Sequence, residues 1–272
     1  MKFVYWNLNK RPVAEILVAL RRDCDADVLV LSELATPLQD VVLRLNKGFS
    51  QKFGIPAIPI EDPIILTTLA AEFVTPISDT RGVSIRQIVP PVGPDFLVVA
   101  VHLRSKLFQG ESDQILSSTR VARAIEEAEA RVGHRRTVVI GDLNMNPFEN
   151  GVVGADGLHA VMARNVALRG VRVVDGHERP FFYNPMWSHF GDSPSGPPGT
   201  YYHSSSNQVV LFWHMYDQVL IRPDLLRYSR DSDLRIITAA GDTNLLRTSG
   251  APDATVGSDH LPVYFELQLL EE

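Results

Sequence analysis

Short apolar runs alternate with amphipathic stretches from the start of the chain. Phe3 to Trp6 predict a strand over 2–6, and Ile16, Leu17 and Leu20 share one face of a helix expected over 11–23. The unbroken run Val28 to Leu31 predicts a strand over 27–32 covered on both faces, followed by a helix over 38–47. The pattern then changes to four consecutive strands at 64–68, 71–77, 82–90 and 95–102, punctuated by Pro and Gly as in an antiparallel meander. Val121, Ile125, Ala128 and Val132 stripe a long helix over 111–132, and Arg123/Glu127 and Glu127/Arg131 pair along its wet face. A strand at 136–141 and a helix at 157–165 come next, then a Gly/Pro/Ser-rich loop over 176–200. Strands resume at 199–203, 211–222, 233–237 and 261–269, the last alternating Val263, Phe265, Leu267 and Leu269 with polar neighbours.

Composition narrows the class. The chain has 272 residues, 45% hydrophobic and 21% charged, as in an ordinary globular protein of one or two domains. No apolar run approaches the roughly 18 residues of a spanning helix, so an integral membrane protein is not expected. Basic residues number 26 against 32 acidic ones, a net charge of −6 that argues against a grip on nucleic acid by the whole surface and leaves room for a local basic patch. The single cysteine, Cys24, excludes an intrachain disulfide and a cysteine zinc site and suits a reducing compartment. The apolar stretch after Lys2 is too short for a signal-peptide core, so a cytoplasmic location is expected.

Candidate chemistry lies where polar residues end apolar strands, because strand ends open onto clefts. These residues are Asn7, Glu33, His102, Asp142 with Asn144, Asp217, and the pair Asp259 and His260. Each has an ordinary alternative: Glu33 as a solvated loop carboxylate, His102 as a core histidine, Asp142 with Asn144 as a turn, Asp217 as a strand terminus, Asp259 as an Asx turn. Together they form a set of carboxylates and carboxamides without thiolates, which favours a hard cation such as Mg²⁺ or Mn²⁺, and two imidazoles suited to proton transfer or phosphate contact. Asn7-Leu8-Asn9 with His102-Leu103, and Leu143-Asn144 with His260-Leu261, form a faint internal echo that fits two layered halves meeting at one cleft.

The ordered set Trp6-Asn7-Leu8-Asn9, Leu31-Ser32-Glu33, Val101-His102-Leu103, Gly141-Asp142-Leu143-Asn144, Tyr216-Asp217-Gln218-Val219 and Gly257-Ser258-Asp259-His260-Leu261-Pro262 closely resembles the endonuclease/exonuclease/phosphatase superfamily, the DNase I-like fold. Gly199-Thr200-Tyr201-Tyr202 and Arg81-Gly82-Val83 are similar to further strands of that family, and the likeness spans nearly the whole chain. It implies an α/β (α+β) four-layer αββα sandwich, with two mixed, mainly antiparallel sheets, as one catalytic domain over 1–272. It further implies that Glu33, with Asn7, Asn9 and Asp259, holds a divalent cation. His260, oriented by Asp217, would act as general base or phosphate ligand. Asp142 and Asn144 would position the attacking water and a second cation, and His102 would hydrogen-bond the phosphate.

Asn9 stands where some members have aspartate, which makes the metal site one charge less negative. The carboxylate that partners the first histidine is open among Glu61, Glu72 and Asp79. His102-Leu103 resembles the DNase I, sphingomyelinase, deadenylase and inositol-phosphatase branches more than the abasic-site endonucleases.

Substrate choice lies in loops beside a shared phosphate site. Arg104 and Lys106, then Arg164, Arg169, Arg172 and Arg179, with Trp187, Phe190, Tyr201 and Tyr202 as stacking surfaces, lean toward a nuclease acting on DNA or RNA. A phosphatase or phospholipase-type enzyme is the alternative, the latter needing an exposed apolar hairpin for which Met186 to Phe190 is the candidate. A non-catalytic binding module is the third reading. No protein partner is identified.

Overall fold

The computed structural model describes residues 1–55, 62–105, 110–192 and 196–270. The elements used below are β1 (Lys2–Asn7), α1 (Ala14–Cys24), β2 (Val28–Ser32), α2 (Leu38–Asn46), β3 (Ile64–Thr67), β4 (Val74–Thr80), β5 (Val83–Ile88), β6 (Phe96–His102), α3 (Glu111–Val132) and β7 (Thr137–Asp142). A five-stranded sheet runs Leu234–Ile236, Val263–Glu266, β1, β2, β3. A seven-stranded sheet runs β4, β5, β6, β7, Asp217–Ile221, Phe182–Tyr183, Ala160–Val161. Parallel pairs β1/β2 and β6/β7 sit inside otherwise largely antiparallel sheets.

Three apolar layers hold the sheets and helices in order. Phe3, Tyr5, Val28 and Val30 of the first sheet pack against Val98, Ala100, Val138, Ile140, Val219 and Ile221 of the second. The alternate residues Val4, Trp6, Leu29 and Leu31 face Leu17, Leu20, Val41 and Leu45 of α1 and α2. On the far side, Val99, Val101 and Val139 meet Val121, Ile125 and Ala128 of α3. Strand alternation thus places apolar side chains on both faces of each central strand, which is why these strands read as unbroken runs. The order is helix, sheet, sheet, helix, as the sequence implies. No helix among the described residues is long and apolar enough to cross a membrane.

Several local expectations change. Helix α1 begins at Ala14 rather than 11, after Pro12. The meander is split: β3 pairs with β2 in the first sheet, and the chain crosses through a 3-10 turn (Ala71–Phe73) before β4 opens the second. The helix expected over 157–165 is a short strand and one turn (Arg164–Ala167), because Ala160–Val161 finds a ladder partner in Phe182–Tyr183. The loop at 176–200 contains a strand (His177–Pro180) and a 3-10 helix (Pro185–His189). The strand expected over 211–222 breaks into Trp213–His214 and Asp217–Ile221. The two sequence halves interleave rather than layer, since His102 of the first and Asp142 of the second are ladder neighbours in one sheet.

Register sets the site. His102 pairs with Asp142, and Asp142 with Asp217, so three strand ends put chemistry into one cross-strand row. In the other sheet Asn7 pairs with Ser32, the residue before Glu33. Gly141 permits this close approach: a Cβ there would lie 1.9 Å from the Val101 carbonyl oxygen. Gly141→Ala is expected to lower stability by about 3 kcal/mol or more, the scale of a severe core misfit, measured by urea denaturation.

Candidate active site

On the first sheet, β1 ends in a turn fixed by its own side chain. The Asn9 amide donates to Asn7 Oδ1 at 3.0 Å, and the Lys10 amide to the Glu33 carbonyl at 3.0 Å. Asn9, Glu33 and Asn144 carry φ values of 45°, 54° and 49°. Left-handed backbone at residues other than glycine costs on the order of 1–3 kcal/mol and persists where surrounding bonds over-determine it. Three of the nine residues singled out in the sequence meet that description.

Asp62, which the sequence did not single out, joins the candidate site. Its Oδ1 accepts the Glu33 amide at 2.9 Å, its Oδ2 binds His102 Nδ1, and its carbonyl accepts the Gly82 amide at 3.2 Å. It therefore ties the end of β2 to the end of β6. Of the residues considered for His102, Asp79 is held by Arg86 at 2.8 Å, Glu72 is exposed, and Glu61 lies outside the described residues. The available signal was the one used elsewhere, a polar residue flanking an apolar strand, but Asp62 precedes its strand and stands before Pro63, where it reads as a turn.

On the second sheet, His260 donates from Nδ1 to Asp217 Oδ2 at 2.8 Å, which turns Nε2 toward Asp142, 4.0 Å away. The Trp6 indole donates to the His260 carbonyl at 2.9 Å, and the His260 amide to Ser258 Oγ at 3.1 Å. Asp142, itself 1% exposed, accepts from Asn7 Nδ2 at 3.0 Å and from the Asn144 amide at 2.7 Å. Asn144 in turn holds the Leu103 carbonyl at 2.8 Å. Tyr201 leans on the imidazole of His260, ring centres 4.7 Å apart, and stacks on Tyr216.

The charges are interdependent. Burial, with the Asp217 charge, raises the Asp142 carboxyl to about 6 against the pull of His260 and His102. Burial would lower His260, but Asp217, Asp142 and Asp259 overcome it and push the imidazole up to about 10. Burial opposes His102 too, and the Asp62 bond with the Asp142 and Glu33 charges raises it.

Among the described residues, Asp142, Asp217 and His260 form the one group whose donor atoms lie within 4.8 Å of one another. This group is buried and could hold a metal ion, although His260 Nδ1 and Asp217 already satisfy each other. Glu33 is outside it, 3.6 Å from His102 Nε2, and the half-buried Asp259 accepts from Ser258 Oγ at 3.3 Å. The carboxylate oxygens of Asp142 and Asp217 are hard donors beside the His260 imidazole, and burial, with the Asp217 charge, raises the Asp142 carboxyl, a cost that a cation would offset. Both features fit a divalent cation.

The expected nucleic-acid contacts divide. Arg164 is tied to Asp231 at 2.7 Å and Arg179 to Asp156 at 2.6 Å, while Arg169, Arg172 and Arg104 are exposed; Lys106 lies outside the described residues. Trp187 and Phe190 pack around Phe148, Tyr202 packs on Trp213, and Tyr201 is the one of the four aromatics beside His260.

In the metal-free protein, the His260 imidazole is expected to stay protonated at pH 8. Asp217→Asn removes the largest force that opposes burial, so the pKa of His260 must fall, which a ring-proton NMR titration reads directly.

No family model and no curated protein matches the sequence. Solved structures do. An endonuclease/exonuclease/phosphatase family protein from Leptotrichia buccalis C-1013-b superposes with a TM-score of 0.57 at 12% identity, over 98% of this chain and 99% of that one. An AP endonuclease from Archaeoglobus fulgidus gives 0.56 at 12% identity over the same shares. A 3′ phosphatase from Neisseria, bound to a product DNA hairpin, gives 0.55 at 15% identity, again over 98% and 99%. The chain therefore shares the fold of these solved structures.

Proposed function

We propose that the protein is a divalent-metal-dependent phosphodiesterase, and that its substrate is nucleic acid. The observation that carries this reading is the Asp217–His260 pair, whose free Nε2 faces the buried carboxylate Asp142 across a row that His102 closes on the other side. Asp217 holds the Nδ1 proton, so Nε2 donates to a phosphate oxygen while the imidazole is protonated and takes a proton from water only when it is neutral. Asp142, steadied by Asn7 and the Asn144 amide, orients the attacking water. Asp62 does for His102 what Asp217 does for His260: it holds Nδ1 and leaves Nε2 for the phosphate as negative charge builds. Glu33, Asp259, Asn7 and Asn9 would hold Mg²⁺ or Mn²⁺, which when bound supplies charge neutralisation at a non-bridging oxygen and at the leaving oxygen. Residues 7 and 259 both serve this site, so the two halves work as one catalytic domain. The similar structures named as an AP endonuclease and as a phosphatase bound to DNA support the nucleic-acid substrate.

A lipid phosphodiester is the second reading, for one specific reason. Val209 is 85% exposed and Leu211 and Phe212 are about half-exposed, on the hairpin that carries Tyr201 to the site. The segment that the sequence offered for this role is not the exposed one, since Met186 is fully buried.

The test is hydrolysis of single- and double-stranded DNA, RNA and bis(4-nitrophenyl) phosphate with Mn²⁺ and with EDTA. Turnover is expected to stop on chelation. His260→Ala and Asp217→Asn are each expected to lower kcat by about 100- to 10,000-fold. Turnover that survives EDTA, or that His260→Ala leaves intact, contradicts the mechanism.

A further inference from the structure

Acidic residues outnumber basic ones by 32 to 26, yet unpaired cations gather at one edge of the cleft. Lys10 and Arg11 follow Asn9, Arg81 precedes Gly82, and Arg104 stands two residues after His102. Backbone bonds fix these positions against the site. The Lys10 amide donates to the Glu33 carbonyl at 3.0 Å and the Arg11 amide to that of Leu8 at 2.9 Å. Gly82 donates to Asp62 and accepts from the His102 amide at 2.8 Å, and the Leu103 amide donates to the Asp142 carbonyl at 2.9 Å. All four side chains are exposed, and none makes an ion pair or side-chain hydrogen bond among the described residues. Many other arginines are taken up, since Arg44, Arg86, Arg136, Arg164, Arg179 and Arg222 each meet a carboxylate, while Arg123, Arg169 and Arg172 are exposed like these four. Residues 196–216, which bring Tyr201 beside His260, contain no Asp, Glu, Lys or Arg.

We propose that Lys10, Arg11, Arg81 and Arg104 form a cationic rim that holds the sugar-phosphate backbone of a nucleic acid strand on the Glu33 and His102 side of the site. The inference rests on the phosphodiesterase reading and sharpens its substrate to a polyanion. One scissile phosphate carries a single negative charge, which the two site histidines and a cation already meet, so four further cations have no use toward an isolated diester. Phosphates on either side of the scissile bond give each of them a partner, and their binding releases condensed counterions. Tyr201 beside His260, in a segment free of Asp, Glu, Lys and Arg, offers a base a ring to stack on.

The experiment compares the wild type with two quadruple alanine variants by fluorescence anisotropy of a labelled single-stranded DNA oligonucleotide, in EDTA and over a range of salt. One variant replaces Lys10, Arg11, Arg81 and Arg104. The other replaces Lys47, Lys52, Arg123 and Arg131, exposed cations on or near α2 and α3, and so removes the same net charge. The rim variant is expected to lose about 0.7 from the slope of log affinity against log salt for each cation removed. The charge-matched variant is expected to keep the wild-type slope. Equal slopes in all three proteins, an equal fall in both variants, or wild-type binding to phosphatidylserine vesicles with none to the oligonucleotide would each overturn the rim. Failure of the wild type to hydrolyse bis(4-nitrophenyl) phosphate with Mn²⁺ would overturn the catalytic reading alone, because the anisotropy comparison is made without turnover.

Discussion

Asp142 is a carboxylate in a place where a carboxylate is expensive. Taking an ion out of water costs several kcal/mol even after the protein relaxes, and Asp142 sits between two sheets at 1% exposure. Its charge is sustained by a hydrogen bond from Asn7 across the inter-sheet gap, by the Asn144 amide, and by imidazoles on both flanks. Each bond to the charged group contributes about 1.5–3 kcal/mol. That compensation is incomplete, as its raised pKa of about 6 records. The chief cause of that shift is burial, a cost that a cation beside Asp142 would offset.

The same constraint explains the backbone around it. For His102, Asp142 and Asp217 to share a row, β6 and β7 must approach until Gly141 lies against the Val101 carbonyl, where a side chain has no room. For Asn7 and Glu33 to reach the row from the other sheet, Asn9 and Glu33 must take left-handed backbone, and Asp62 must clamp the Glu33 amide and His102 together. The second carboxylate–imidazole pair, Asp217 and His260, is locked from behind by Trp6 and Ser258. The two sheets are thus joined twice, by an apolar interior and by the polar edge that carries the candidate site.

Much of this was legible in the sequence. The central strands announced themselves as runs such as Val28 to Leu31, because burial on both faces leaves no polar alternation. Helix α3 was legible to the residue, since its apolar stripe of Val121, Ile125, Ala128 and Val132 packs on the sheet as its spacing requires. The polar residues that end strands pointed to Asn7, Glu33, His102, Asp142, Asp217 and His260. What escaped was set by partners distant in the chain. Ala160–Val161 became a strand because Phe182–Tyr183 lies beside it. β3 left the meander because β2 offered an edge. Asp62 gained its role from residues 29 and 40 positions away, a separation no local pattern carries.

The central claim is that the strand-end row around Asp142 is a cation site flanked by two oriented imidazoles. Anomalous diffraction from crystals soaked in Mn²⁺ tests it most directly. The account predicts a peak coordinated by Glu33 and Asp259 oxygens beside Asn7 and Asp142, with the Asp217–His260 hydrogen bond intact. A peak that replaces that hydrogen bond, or Glu33 and Asp259 facing different clefts with no manganese between them, would contradict it.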